Sequence, residues 1–305
     1  MVPARQLEST PASPLFDIAV EDWLRKKAAS GRWCPLVEGN ARRYARAWKE
    51  SFRGKRIGDL QILDVELHEA RRAARKGQKG LISNSSVNQE RAFFRQFLKW
   101  CRTHNWLSSD PAAAWETREE LVRRKYVPLT LDEEHRFVRK ARKWLGLVVI
   151  FAISTGCRLG TIRALTWSMF SARVIRNQRV SMLLVPARVM KTRKDHTVVL
   201  CEEALAAMGK PGASEDPIFR LPSNSMVDYW FKKAARKAGI DPACTFHDTR
   251  RTFVARLAAE NVPMNVVMKL GGWRRPTTML THYCELQEEV ALAAVEKIHR
   301  RRKAR

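Results

Sequence analysis

The chain is 305 residues long and carries 57 Lys and Arg against 31 Asp and Glu, a formal net charge of +26. Hydrophobic residues make up 45%, which excludes a chain disordered throughout. A pI near 10.5 suits an enzyme of small neutral metabolites poorly and points to a polyanion, nucleic acid before an anionic membrane. The length suggests about two domains at roughly 100–200 residues each. The positive excess is not a detachable tail: residues 1–127 hold 25 basic and 15 acidic side chains, residues 128–305 hold 32 and 16. Both halves are therefore expected to meet the polyanion, as two jaws. No apolar run follows Met1, so no signal peptide is expected, and the most hydrophobic stretch, Leu145 to Ile153, is about half of what spans a bilayer. The six cysteines (Cys34, Cys101, Cys157, Cys201, Cys244, Cys284) are dispersed without a CxxC pair, which argues against a zinc module and for reduced thiols in a cytosolic protein.

In chain order, residues 1–14 contain three prolines and read as a flexible arm. From Leu15 to about Ala114 the pattern is helical, a domain assigned to 15–114. In Val87–His104, Phe93, Phe97, Trp100 and Cys101 recur at i, i+4, i+7 and i+8, the spacing of one apolar helix face. Asn88, Arg91, Arg95, Lys99 and Arg102 lie mostly opposite. These four cations read as candidate phosphate contacts, since such residues position a protein on a nucleic-acid backbone; a solvated charged face is the alternative. Asn84, Ser85 or Ser86 is expected to cap this helix, and Ser108-Ser109-Asp110-Pro111 to end it. Residues 115–127, with Arg123, Arg124 and Lys125 in a row, read as a linker. The next domain opens with Thr130 and Glu133, spaced as a capping box. Residues 144–155 read as a buried helix that ends at Thr155-Gly156. Val174–Val185 and Val198–Leu200 read as β-type stretches around the turn Lys191–Asp195, and the chain looks helical from Pro222 onward. The fold class expected is mainly α with a small antiparallel sheet.

Four segments of the second domain carry chemistry. Thr155-Gly156-Cys157-Arg158 places an arginine beside a sharp backbone turn at a helix end; taken alone it is a common C-cap. Lys191 sits on a basic turn with Arg193, Lys194 and His196, which read as phosphate contacts or solvent-facing residues. His247 and Arg250 are i, i+3 neighbours on one helix face, with Arg251 beside them as a further candidate DNA contact. Leu270-Gly271-Gly272-Trp273 precedes Tyr283, the one tyrosine beyond the His-x-x-Arg pair. Together they suit attack of a tyrosine hydroxyl on a phosphodiester. Arg158 and Arg250 would clamp the non-bridging oxygens, His247 would take the tyrosine proton, and Lys191 would protonate the departing 5′-oxygen. No metal and no cofactor are required by this scheme.

These segments resemble the boxes of the tyrosine recombinases, the phage-integrase family of site-specific DNA recombinases. Thr155-Gly156-Cys157-Arg158 is similar to the first-arginine box, Lys191 to the catalytic lysine, and His247-Asp248-Thr249-Arg250-Arg251 to the His-x-x-Arg box. Leu270-Gly271-Gly272-Trp273 resembles the third box and Tyr283 the nucleophile. The resemblance covers about Val127 to Glu285 and extends loosely to Ser85–Ala113, similar to the family's helical core-binding domain. It departs in three places. Trp273 stands where most members have histidine, Tyr283 follows it by ten residues where nine is usual, and Thr161 replaces a common acidic residue.

What the resemblance implies is a catalytic domain over 128–285, followed by a C-terminal helix and basic tail over 286–305. It also implies a 3′-phosphotyrosyl intermediate and strand exchange through a Holliday junction. The expected partner is duplex DNA at a specific recombination site, with a dimer on each site and a homo-tetramer on two sites. Without DNA, a monomer or weak dimer is expected. The expected location is the cytoplasm, for a bacterial, archaeal or phage-encoded protein acting on nucleoid DNA, with no membrane contact. Three other readings stand beside this one. A type IB topoisomerase would relax DNA without a defined site. A non-catalytic DNA-binding homologue is favoured by the shifted Tyr283. An RNA-binding or membrane-surface protein rests on charge alone.

Overall fold

Aromatic side chains at helical spacing account for the amino-terminal core. In α1 (Phe16–Ala29) and α2 (Pro35–Ser51), Phe16, Trp23, Tyr44 and Trp48 fall on facing stripes and are buried. Phe94 and Phe97 of α4 (Asn84–Thr103) pack among them. The computed structural model describes residues 13–77, 80–119 and 128–277. Its contacts divide into two compact units, Met1–Arg123 and Arg124–Arg305.

In the first unit, α3 (Ile62–Ala74) lies between α2 and α4, and β1 (Lys76–Gly77) pairs antiparallel with β2 (Gly80–Leu81), a small hairpin inside a stretch expected to be helical. Two expectations for α4 shift. Its cap is Ser83, whose hydroxyl accepts from the Ser86 amide at 3.3 Å, because the helix begins one residue ahead of the candidates named from sequence. The buried face is Val87, Glu90, Phe94, Phe97, Leu98 and Cys101, with Phe93 and Trp100 only half-buried at its edge. Glu90 is fully buried because it is the shared acceptor of Trp48 Nε1 at 3.0 Å, His68 Nε2 at 3.1 Å and Arg72 Nε at 2.5 Å. Trp115, expected in a linker, is buried in this core, and the Asn88 side chain brackets Arg118 through the Arg118 amide and carbonyl, both at 2.9 Å. Ser13 and Pro14, expected in the arm, accept from Arg56 and Ile57 through their carbonyls.

The second unit opens with α5 (Leu131–Lys140). The Thr130 hydroxyl accepts from the Glu133 amide at 3.1 Å and the Glu133 carboxylate accepts from the Thr130 amide at 2.9 Å, the full reciprocal cap. The apolar helix α6 (Lys143–Thr155) forms the centre of the core, and α7 (Leu159–Arg163) follows it after a sharp turn. The sheet is β3 (Phe170–Ile175), β4 (Gln178–Val185) and β5 (His196–Leu200), antiparallel throughout in the order β3-β4-β5. The stretch read as one β segment over 174–185 is instead split by Arg176 and Asn177, whose φ values of 49° and 61° make a two-residue hairpin turn. α8 (Glu202–Met208), which no sequence pattern had singled out, packs near α6. Next come α9 (Asn224–Lys237), α10 (Asp248–Ala259) and α11 (Met264–Gly271). Among the described residues no helix is long and apolar enough to cross a membrane. Tyr283, Lys125, the expected helix over 286–298 and the basic tail lie outside the described residues.

Candidate active site

The site is assembled where the end of α6, the start of α10 and the end of α11 converge. α10 is set by Asp248, whose carboxylate accepts from the Thr245 amide at 2.6 Å and the Thr245 hydroxyl at 2.8 Å. This fixes Arg250 in the first turn, where only 4% of its surface is exposed. Its Nη1 donates to the Gly156 carbonyl, and its guanidinium lies 3.5 Å over the Trp273 ring. Its Nη2 is buried with no hydrogen-bond partner among the described residues. Buried donors are rarely left unmade, and a guanidinium with an N–H to spare is a receptor for an oxyanion.

Glycine makes both approaches possible. Gly156 caps α6 with φ 66°, and a Cβ there would stand 2.5 Å from Phe253 Cδ1. The chain can therefore turn against α10 and present the Gly156 carbonyl to Arg250. A Cβ on Gly271 would stand 1.7 Å from Trp273 Cζ3, so the indole folds back over a position that must lack a side chain. Gly272, at φ 68°, caps α11 and reverses the chain into Trp273.

Among the described residues neither Arg158 nor Arg250 is paired with a carboxylate. Burial first, and then the like charge of Arg158, push the Arg250 guanidinium down to about 9. Arg158, half-buried at the N-cap of α7, is itself lowered by burial. His247 is the N-cap of α10 and is exposed, whereas Arg250, one turn on, is buried. Even so, desolvation, then Arg250 and Arg251, lower its pKa below the ordinary histidine value, with Asp248 opposing. Thus Arg158, His247, Arg250 and Trp273 are brought together. Lys191 is exposed in the loop between β4 and β5; the preceding residue, Met190, is buried against Gly272, its Cε 3.3 Å from where a Cβ would stand.

His196, read from sequence as a phosphate contact or a solvent-facing residue, stands in the site. It is half-buried against Gly272, and its pKa is lowered by burial and then by Arg250 and Arg158. The one sequence signal for it was its place five residues after Lys191, where a strand returns toward the site.

The remaining candidates separate by environment. Arg91 Nε donates to the Trp115 carbonyl, which commits it to the fold. Arg95, Lys99 and Arg102 line a groove of about 740 Å3 beside Leu107 and Asp110, with Arg95 3.5 Å from Asp110. Arg193 and Lys194 are exposed on the Lys191 loop. Arg251 pairs with Asp248 at 3.1 Å.

Residues 128–289 match the family model described as the phage integrase family. The chain belongs to that family. The integrase of Salmonella phage P22 is 27% identical over 168 residues, which make up 50% of this chain and 42% of that protein. The match thus spans less than half of that relative. The phage-integrase fold is also seen in solved structures. The Tn1549 transposon integrase in complex with circular intermediate DNA superposes with a TM-score of 0.69 at 16% identity, covering 93% of this chain and 99% of that one. The lambda integrase tetramer bound to a Holliday junction gives 0.60 at 17% identity, over 87% and 76%.

Proposed function

We propose that this phage-integrase family member is a site-specific DNA recombinase that cleaves and rejoins duplex DNA through a 3′-phosphotyrosyl intermediate. The observation that carries the reading is Arg250, a buried cation with an unused Nη2 donor next to a second half-buried arginine. Bringing two like charges out of water is costly unless an anion joins them. A phosphodiester fits, because its non-bridging oxygens gain charge as it is attacked.

In this scheme the Tyr283 hydroxyl attacks phosphorus, forming the tyrosyl O–P bond as the bond to the 5′-oxygen breaks. His247 accepts the phenolic proton, a role its depressed pKa suits because the ring stays neutral near neutral pH. Lys191 supplies a proton to the departing 5′-oxygen. Arg158 and Arg250 donate to the non-bridging oxygens, and Trp273 holds the Arg250 guanidinium through its ring face. A 5′-hydroxyl from another strand reverses the step, so the bond energy is conserved and no nucleotide is consumed. Arg95, Lys99 and Arg102, with Arg193 and Lys194, contact backbone phosphates. A dimer on each site and a tetramer on two, acting in the cytoplasm, complete the reading. The assembly is supported by analogy with the lambda integrase tetramer on a Holliday junction.

The test is covalent capture. The protein is incubated with a library of randomised nicked duplexes, and SDS-resistant adducts are recovered and sequenced to identify the preferred site. The wild type is expected to yield adducts on a defined site and Tyr283→Phe none. Adducts that survive in Tyr283→Phe, or their absence in the wild type, would refute the scheme.

A further inference from the structure

We propose that His196 is a positioning residue of this site: it ties the Lys191 loop to the Leu270–Trp273 turn and thereby sets Trp273 over Arg250. The inference rests on the recombinase reading above and adds to it a residue outside the six placed there.

The geometry begins with register. His196 opens β5 opposite Val185 of β4, so the strand pairing fixes where its ring is delivered. The ring reaches the α11 turn at two points. It lies against the Leu270 backbone, which acts on it as an acceptor and favours an N–H facing that way, and a Cβ on Gly272 would stand 3.3 Å from its Cε1 and 3.4 Å from its Nδ1. Met190, next to Lys191, closes the same side of Gly272. The turn so held leads directly into Trp273, whose amide donates back to the Met268 carbonyl at 2.9 Å and whose indole lies across Gly271 onto Arg250. A single imidazole therefore joins the strand that follows the general acid to the turn that carries the arginine's platform. The turn has a left-handed glycine at its apex, so its backbone offers little resistance to displacement without such a contact.

Three variants separate this role from simple packing. His196→Ala is expected to slow adduct formation on the order of 10- to 100-fold at saturating captured duplex, the scale of a displaced catalytic group, with its affinity for that duplex unchanged. His196→Gln, which keeps an N–H donor, is expected to recover most of the rate. His196→Phe keeps a ring without the donor and is expected to remain slow. Amide hydrogen exchange at Trp273 should quicken in the Ala and Phe variants and stay slow in the Gln variant. Thermal midpoints identify any variant that is merely unfolded. A wild-type rate in His196→Ala, equal rates in the Gln and Phe variants, or affinity falling in step with rate would each overturn the inference. Should the wild type form no adduct, the recombinase scheme fails on its own account. Unchanged exchange at Trp273 in His196→Ala would then overturn the positioning role separately.

Discussion

Arg250 concentrates the conflict between stability and function at the level of single residues. Its guanidinium is buried, one donor is unused, and a second arginine raises the cost of its charge. Replacing such a group by an apolar side chain of similar volume is often neutral or stabilising, whereas the charge itself serves the transition state. Arg250→Met is therefore expected to abolish covalent adducts while leaving the thermal midpoint equal to or above that of the wild type, measured by calorimetry. A fall of several degrees would mean that the bond to Gly156 outweighs the buried charge. His247 gives a pH prediction whose sign follows from its neighbours. Desolvation, Arg250 and Arg251 lower its pKa below 6.5, so the neutral base persists to lower pH than in a free histidine. The acid limb of single-turnover cleavage should then fall below the ordinary histidine range. Arg251→Ala removes one of the cations that hold it there, so the limb should move to higher pH in that variant. A limb that stays in place would assign it to another group.

Elements were legible in the sequence wherever a local rule decided them. Thr130 and Glu133 are spaced for a reciprocal cap and form one; Gly156 stops an apolar helix because only glycine tolerates the left-handed turn pressed against Phe253. Where a tertiary partner decided, the sequence misled. The α4 face rotates to bury Glu90 because Trp48, His68 and Arg72, distant in sequence, supply its three donors. The aromatic spacing of α4 carries no trace of them. The hairpin turn at Arg176–Asn177 lacks glycine and so left no mark within a continuous β-type stretch. For the site, the arginines, His247 and Trp273 could be named because each lies in a short motif. His196 reaches it only through strand register, which single-sequence reading does not supply. Gly156→Ala tests the link from element to site. The left-handed position alone costs on the order of 1–3 kcal/mol, and relief of the Phe253 clash would displace the carbonyl that Arg250 binds. Chemical denaturation should show that loss, and adduct formation should fall further than a change in folded fraction explains.

For the whole molecule, the positive charge has to be divided between groups that build the protein and groups left over for a polyanion. In the first unit Arg72 serves Glu90, Arg91 serves Trp115 and Arg118 pairs with Glu69 at 2.9 Å, so these three cations serve the fold. Lys99 and Arg102, by contrast, line an open groove, where Arg95 makes a long contact to Asp110. The two classes predict different salt behaviour. Each backbone phosphate neutralised releases condensed counterion, so the logarithm of affinity falls with the logarithm of salt at a slope near one per contact. Lys99→Ala and Arg102→Ala should each weaken duplex binding about equally on all sequences and reduce the salt slope by about 1, with the unfolding midpoint unchanged. Arg91→Ala should do the reverse. It leaves the buried Trp115 carbonyl without its donor, at a cost of about 1–3 kcal/mol in stability, while the slope of binding against salt stays that of the wild type. Titrations of the three variants at several salt concentrations, beside denaturation curves, decide between the classes. A slope that drops in Arg91→Ala and holds in Lys99→Ala and Arg102→Ala would place the DNA on another face of this unit.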